Sequence, residues 1–211
     1  MTATIIEARD VGVRIGGGPI LAGVALRAAP GDIVAVVGEN GAGKSTLLRC
    51  LAGLQTGVSG EVSVFGRAPV DEPAFWRDVA LLADEPAWYP GLTVREHLEM
   101  MRAVHGAARM RTAAALEGFG LAGAADRAPL TLSTGQRQRL ALAMTLVRPS
   151  RLLLLDEPER ALDRAFRSRL AAHLAGYAGD GGTVVMATHD RDLVTATGAR
   201  ELVLGEPVGE S

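Results

Sequence analysis

The stretch GENGAGKST, Gly38 to Thr46, follows the apolar run IVAVV, Ile33 to Val37, and opens the run KSTLLRCLAG, Lys44 to Gly53. Strand, glycine-rich loop and helix, in that order, are what a phosphate-binding loop requires. Glycines let the backbone turn so that successive N–H groups point inward, and the helix N-terminus adds positive partial charge. Phosphate oxygens are therefore the expected ligand of Gly38, Asn40, Gly41, Ala42 and Gly43, with Thr46 beside them. Lys44 is expected to bridge the β- and γ-phosphates, and Ser45 to place its hydroxyl on Mg²⁺. The basic residues single out the same position, since all 22 Lys and Arg are arginine except Lys44. A compact ammonium serves there and a guanidinium fork does not. Alone, the loop specifies a nucleoside triphosphate and no particular reaction, because kinases, GTPases and ATPases share it.

Working outward, alternation around Val11, Val13 and Ile15, then Val24 and Leu26, then Glu61 to Phe65, predicts antiparallel strands near the N-terminus. Four other runs are short and continuously apolar, as strands buried on both faces are: Asp32 to Val37, Val79 to Ala83, Leu152 to Leu155 and Thr183 to Ala187. Helical stretches lie between them at Lys44 to Ala52, Val94 to Val104, Gly135 to Leu146 and Arg164 to Leu174. This alternation predicts an α/β domain with a mostly parallel sheet. Residues 86–130 lack a buried strand and read as an inserted helical subdomain within one domain spanning 1–211. Gly176 to Gly182 reads as a glycine-rich turn before a strand.

With 211 residues, 48% of them hydrophobic and 22% charged, the chain suits one folded domain rather than a disordered or disulfide-built one. Its one cysteine, Cys50, falls in an apolar helical run and reads as a structural thiol, which suits a reducing compartment. A net charge of −2 gives no electrostatic case for nucleic acid. Spanning a bilayer takes about 20 apolar residues in a row, far more than any run here, and the N-terminus lacks a basic head and apolar core of a secretory signal.

LLLLDE, Leu152 to Glu157, ends a buried strand in two acids. At the carboxyl edge of a parallel sheet such a pair divides its work: Asp156 is placed to hold Mg²⁺ and Glu157 to act as general base on water. About 20 residues upstream stands LSTGQRQRLALA, Leu132 to Ala143, with Ser133 as an N-cap and Gly135 allowing close approach to an anion. THD, with His189, ends the strand TVVMA.

In this order, phosphate loop, LSTGQ, LLLLDEP, ALD and THD, the chain resembles the ATP-binding cassette (ABC) ATPases over essentially its whole length. The resemblance implies a P-loop NTPase core, ATP and Mg²⁺ as cofactors, and a second cassette, identical or different, paired head to tail. Each ATP would lie between the phosphate loop of one copy and Ser133, Thr134, Gly135 and Gln136 of the other. It further implies Glu157 as hydrolytic base, His189 as a switch residue touching the γ-phosphate, and Asp163 as the residue communicating across the dimer. His97, His105 and His173 lack motif context and are expected to be solvated.

Several positions depart from the family pattern. Thr134 stands where glycine is commonest, and Asp84 where glutamine is expected; an aspartate there is a candidate Mg²⁺ ligand that adds negative charge near the triphosphate. Arg160 replaces a small serine before ALD, either forming a cross-dimer ion pair or crowding the contact. Ile15 holds the place of the aromatic that stacks on adenine. The implied function is an Mg²⁺-dependent ATPase driving a separate transmembrane permease from the inner, cytoplasmic face of the membrane, with a lean to efflux. The alternative is a regulatory or degenerate cassette that binds ATP and hydrolyses it poorly. Trp88 and Tyr89 suit either a permease dock or local packing.

Overall fold

A computed structural model describes residues 4–16, 18–83, 86–106 and 108–205. Three antiparallel strands, β1 (Ile6–Ile15), β2 (Gly18–Ala28) and β4 (Val58–Val64), form one sheet in the order β2-β1-β4. Five parallel-paired strands form the other: β3 (Ile33–Val37), β5 (Val79–Leu82), β6 (Leu152–Asp156), β7 (Thr183–Ala187) and β8 (Arg200–Val203), in the order β5-β6-β7-β3-β8. The helices are α1 (Lys44–Leu51), α2 (Pro73–Asp78), α3 (Val94–His105), α4 (Thr112–Gly118), α5 (Thr134–Val147), α6 (Arg164–Gly179) and α7 (Arg191–Thr197). The chain is the expected α/β type, with a parallel sheet, an antiparallel one and helices α3 and α4 inside residues 86–130.

The apolar runs are continuous because the parallel sheet is covered on both sides. Ile33, Ala35, Leu153, Leu155, Val184 and Met186 face a core shared with α3 to α7. Their neighbours Val34, Val36, Leu152, Leu154, Val185 and Ala187 face a second core shared with α1 and the antiparallel sheet. The second half of α5, Leu140 to Val147, is buried all round, because it lies against β5 on one side and α3 and α4 on the other. Among the described residues no helix is long and apolar enough to cross a membrane.

Among the short elements that sequence reading missed are β8, α2 and α7. β8 is a four-residue edge strand of mostly exposed residues, so it lacks the apolar signal of its neighbours. α2 is a six-residue helix that buries only Phe75. The expected turn at Gly176 is helix instead, since α6 runs through to Gly179. Tertiary contacts outweigh the glycine cost there: Tyr177 is buried, its hydroxyl donates to Ser150 O at 2.9 Å, and Arg109 lies over its ring.

The histidines also need correction. His97 is fully buried: its Nδ1 lies 2.8 Å from Thr93 O and its Nε2 accepts Tyr89 N–H at 3.0 Å. A neutral ring protonated on Nδ1 satisfies both contacts. His173 stacks on Phe119, ring centroids 4.6 Å apart, with Nε2 3.2 Å from Gly118 O. His105 is half-buried, and burial together with the nearby Arg148 holds its pKa below the usual histidine value. Trp88 packs on the helical core edge-on to His97, which answers for its aromatic side chain locally, whereas the Tyr89 ring is 56% exposed.

The thiol of Cys50 is pushed up to about 11 by burial. A thiol reagent at pH 8 should therefore label the native chain orders of magnitude more slowly than the unfolded one, and equal rates would contradict this placement. α3 begins with a capping box in which Thr93 and Glu96 satisfy each other's backbone N–H groups. Thr93→Ala should cost about 1 kcal/mol in urea unfolding at neutral pH. Hydrogen bonds from the Thr93 backbone and hydroxyl hold the Glu96 carboxyl below its ordinary pKa, so its contribution is present above the unfolded value and lost as pH falls through the folded one. The difference between wild type and Thr93→Ala should shrink below about pH 4.

Candidate functional site

Parallel register places four chain segments along one edge. Asp156 of β6 pairs with Ala187 of β7, Ala187 with Val36 of β3, and Val37 with Val203 of β8. The loops beginning at Gly38, Glu157 and Thr188 therefore leave the same carboxyl edge, where ligands of open α/β sheets bind. With strands about 4.8 Å apart, the first two loops start roughly 10 Å from each other, with THD between them. Three motifs distant in sequence meet here for no reason beyond strand pairing.

The phosphate loop owes its shape to two close approaches. A side chain at Gly43 would meet Ile20 O at 2.7 Å and Leu21 Cδ2 at 2.5 Å, and one at Gly38 would meet Leu204 O at 2.7 Å. Gly43 also takes φ 88° as the residue preceding α1, where it offers no capping side chain, and the first turn of α1 has no acid. Among the described residues no side chain answers the first N–H groups of the helix, which leaves them for an anion. Lys44 is 8% exposed and donates to the carbonyls of Gly38 and Glu39, each at 2.8 Å, engaging two of its three N–H donors. Ser45 is exposed and Thr46 half-buried. A cleft of about 700 Å³ opens over Gly38, Asn40, Gly41, Ala42 and the segment Val203 to Gly205. Ile15, at the tip of the β1–β2 hairpin, is 55% exposed on the sheet whose β2 abuts Gly43.

A second cleft, of about 260 Å³, lies beside the acids, lined by Ala83, Thr134, Arg137, Asp156, Glu157 and Arg160 among others. Asp156 is half-buried at the end of β6. Glu157 stands at φ 45°, a conformation costing a non-glycine residue about 1 kcal/mol or more, and its N–H bonds Ala187 O at 2.9 Å. Its side chain remains one-third exposed. Arg160, three-quarters exposed, reaches Glu157 Oε2 at 3.9 Å, so its recorded ion pair is within the chain and solvent-screened. Ser45 and Asp156 are hard oxygen donors, and the described residues hold no group of three His, Cys, Asp or Glu able to cage a metal. That donor set suits Mg²⁺, which keeps several waters and takes few protein ligands beside substrate phosphates. Asp84 lies outside the described residues.

Ser133 caps α5 as expected: its hydroxyl accepts Gln136 N–H at 3.2 Å, while Gln136 Oε1 accepts Ser133 N–H at 3.1 Å. Both side chains are thus engaged in the cap, and Thr134 is exposed. Gly135 has a nearer reason for its missing side chain than an anion, because a Cβ would lie 2.8 Å from Ala161 O. That contact seats α5 against the ALD segment. Asp163 caps α6, accepting Phe166 N–H at 2.7 Å, and its second oxygen accepts from Arg139 of α5 at 2.6 Å. Within one chain these residues do not line the phosphate-loop cleft.

Sequence reading passed over a buried network behind the acids. Glu159 is 2% exposed; its Oε1 accepts the Thr188 hydroxyl at 2.6 Å and His189 N–H at 3.3 Å. Asp190 caps α7 through Leu193 N–H and pairs with Arg167 at 2.9 Å. Acids beside a charged neighbour read as surface, and nothing local marks Glu159 as buried.

The family model for the ABC transporter matches residues 21–160. The chain is 39% identical over 209 residues to the Fe(3+) ions import ATP-binding protein FbpC of Streptomyces coelicolor, covering 97% of this chain and 60% of that protein. It is 40% identical over 198 residues to the cytochrome c biogenesis ATP-binding export protein CcmA 2 of Cupriavidus metallidurans, covering 90% and 92%. It spans about three fifths of the length of the iron-import relatives. A solved structure, of an ATP binding subunit of an ABC transporter, superposes with TM-score 0.83 at 24% identity over 96% of this chain and 87% of that one, a likeness of fold. Import proteins for iron, spermidine and sulfonates stand among the relatives beside the export protein, so the lean to efflux is not supported. On the matched segment, these identities and the loop and acids that the sheet aligns, this chain belongs to the ABC transporter family.

Proposed function

We propose that this chain is the ATP-binding and ATP-hydrolysing subunit of an ABC transporter. It would act on a separate transmembrane permease from the cytoplasmic face and complete its sites by pairing with a second cassette, identical or different. One observation carries the reading: strand register brings the loops that carry Lys44, Glu157 and His189, with Asp156 at a strand end, to a single sheet edge. Relatives named as ATP-binding proteins of transport systems support it.

In this reading the first-turn N–H groups of α1 and the ammonium of Lys44 bind the β- and γ-phosphates, and Ile15 packs on the base. Mg²⁺, held by Ser45 and Asp156, would neutralise charge developing between those phosphates. Glu157, fixed at the mouth of its loop by the bond to Ala187 O, accepts a proton from the attacking water. His189 projects from the neighbouring loop, two-thirds exposed, and contacts the γ-phosphate. The exposed Thr134, with the capped Ser133 and Gln136, would meet the nucleotide of the opposite cassette, a reading supported by their absence from the lining of the chain's own phosphate-loop cleft. Asp163, tied within its own chain to Arg139 of α5, would communicate across the dimer. Asp84 is carried as a further candidate ligand of the metal.

A second reading, a cassette that binds ATP and turns it over slowly, is favoured by the Arg160 guanidinium beside Glu157, which competes for the carboxylate needed as base. Phosphate release by the purified chain with MgATP, followed across protein concentration, separates the two. A more-than-linear rise supports a self-pairing hydrolase; ATP binding without release means either that a different cassette completes the site or that the second reading holds.

Glu157→Gln should preserve ATP binding and lower turnover about a hundredfold or more, and unchanged turnover would remove Glu157 as base. Lys44→Ala should weaken nucleotide binding itself. Equal affinity in a titration of wild type and variant would defeat the phosphate-cradle argument.

A further inference from the structure

Glu159 lies two residues beyond Glu157 and is sealed from solvent, yet only one of its carboxylate oxygens has hydrogen-bond partners. Oε2 is buried and unpartnered, an arrangement that buried carboxylates rarely tolerate without a use. The nearest ring donor, that of His189, faces the other oxygen of the same carboxylate. Its Nδ1 is 3.5 Å from Glu159 Oε1, too long for a good hydrogen bond and close enough for a small rotation of an exposed ring to make one.

The surroundings hold everything except that ring in place. Thr188 O–H donates to Glu159 and its oxygen accepts Asp190 N–H at 3.0 Å, while Asp190 is pinned by Arg167, which also donates to Leu162 O. The carboxylate therefore sits on a braced loop, and the one mobile partner facing it is the imidazole.

We propose that Glu159 is a positioning residue for hydrolysis: its carboxylate accepts a hydrogen bond from the Nδ1–H of His189, which keeps the proton on Nδ1, fixes the ring's tautomer and presents Nε2 to the γ-phosphate. Which ring nitrogen carries the proton is set by the bond the other makes, and a buried acceptor at Nδ1 settles it. This rests on the reading of His189 as the γ-phosphate contact. Glu159→Gln keeps shape and an oxygen for Thr188, but its amide can turn an N–H toward Nδ1 and reverse the preference.

The test is a long-range proton–nitrogen correlation spectrum of the full chain labelled in histidine, recorded at pH 8, with His189→Gln assigning the signal. Wild type should show His189 protonated on Nδ1, and Glu159→Gln should move the proton to Nε2. In parallel, Glu159→Gln should lower kcat about 10- to 100-fold, the range for a group that orients a functional histidine, with KM for ATP changed less than about twofold. A merely structural role would lower the melting temperature and leave the tautomer where it was. Protonation of His189 on Nε2 in wild type overturns the proposal even if no variant folds. So does full turnover in Glu159→Gln beside a loss in His189→Gln, which leaves the γ-phosphate reading standing. Full turnover in His189→Gln overturns that reading and the proposal with it.

Discussion

The in-register pairing of β6, β7 and β3 is the constraint on which the rest depends. Because Asp156, Ala187 and Val36 share a row, the chain leaves the sheet three times at one edge, each time with a motif residue. A register slip of one residue would exchange the two faces of each strand between the two cores and separate Glu157 from the bond to Ala187 O. The apolar runs that drive burial therefore also aim the chemistry. Each fully buried Leu or Val contributes roughly 1.5–3 kcal/mol, which is ample to hold that register against the strain at Glu157.

Around this edge, polar side chains knit the loops into one body. Arg139 joins α5 to the cap of α6, Arg167 joins α6 to the cap of α7, and Glu159 joins the acidic loop to the THD loop. Gly135 adds a backbone contact between α5 and the ALD segment. These contacts tie α5 to the loop carrying Asp163, and α6 to the cap beside His189, within one chain. Thr134 stays outside these bonds and exposed, so its departure from glycine disturbs nothing in the fold.

The expected role of Gly135 shows how one residue type answers two demands. Sequence reading assigns its small size to an anion; the structure supplies Ala161 O as a nearer neighbour. Gly135 lies where its sequence neighbours and its spatial neighbour differ.

Much of the fold was legible in the residues. Continuous apolar runs announce strands covered on both faces, alternation announces the antiparallel sheet, and GENGAGKST announces the phosphate loop, because each signal is local and repeats the physics of a single element. The loop, both acids and the capping serine were readable for the same reason. Burial of a polar residue is not local. Glu159, His97 and the last turn of α6 take their environments from segments far away in sequence, and β8 is a strand only because β3 offers it an edge. The sequence by itself determined the candidate phosphate-loop and acidic residues and their order along the chain; tertiary structure alone decided which of them meet and which charges are buried, since strand register and desolvation arise from the packed whole.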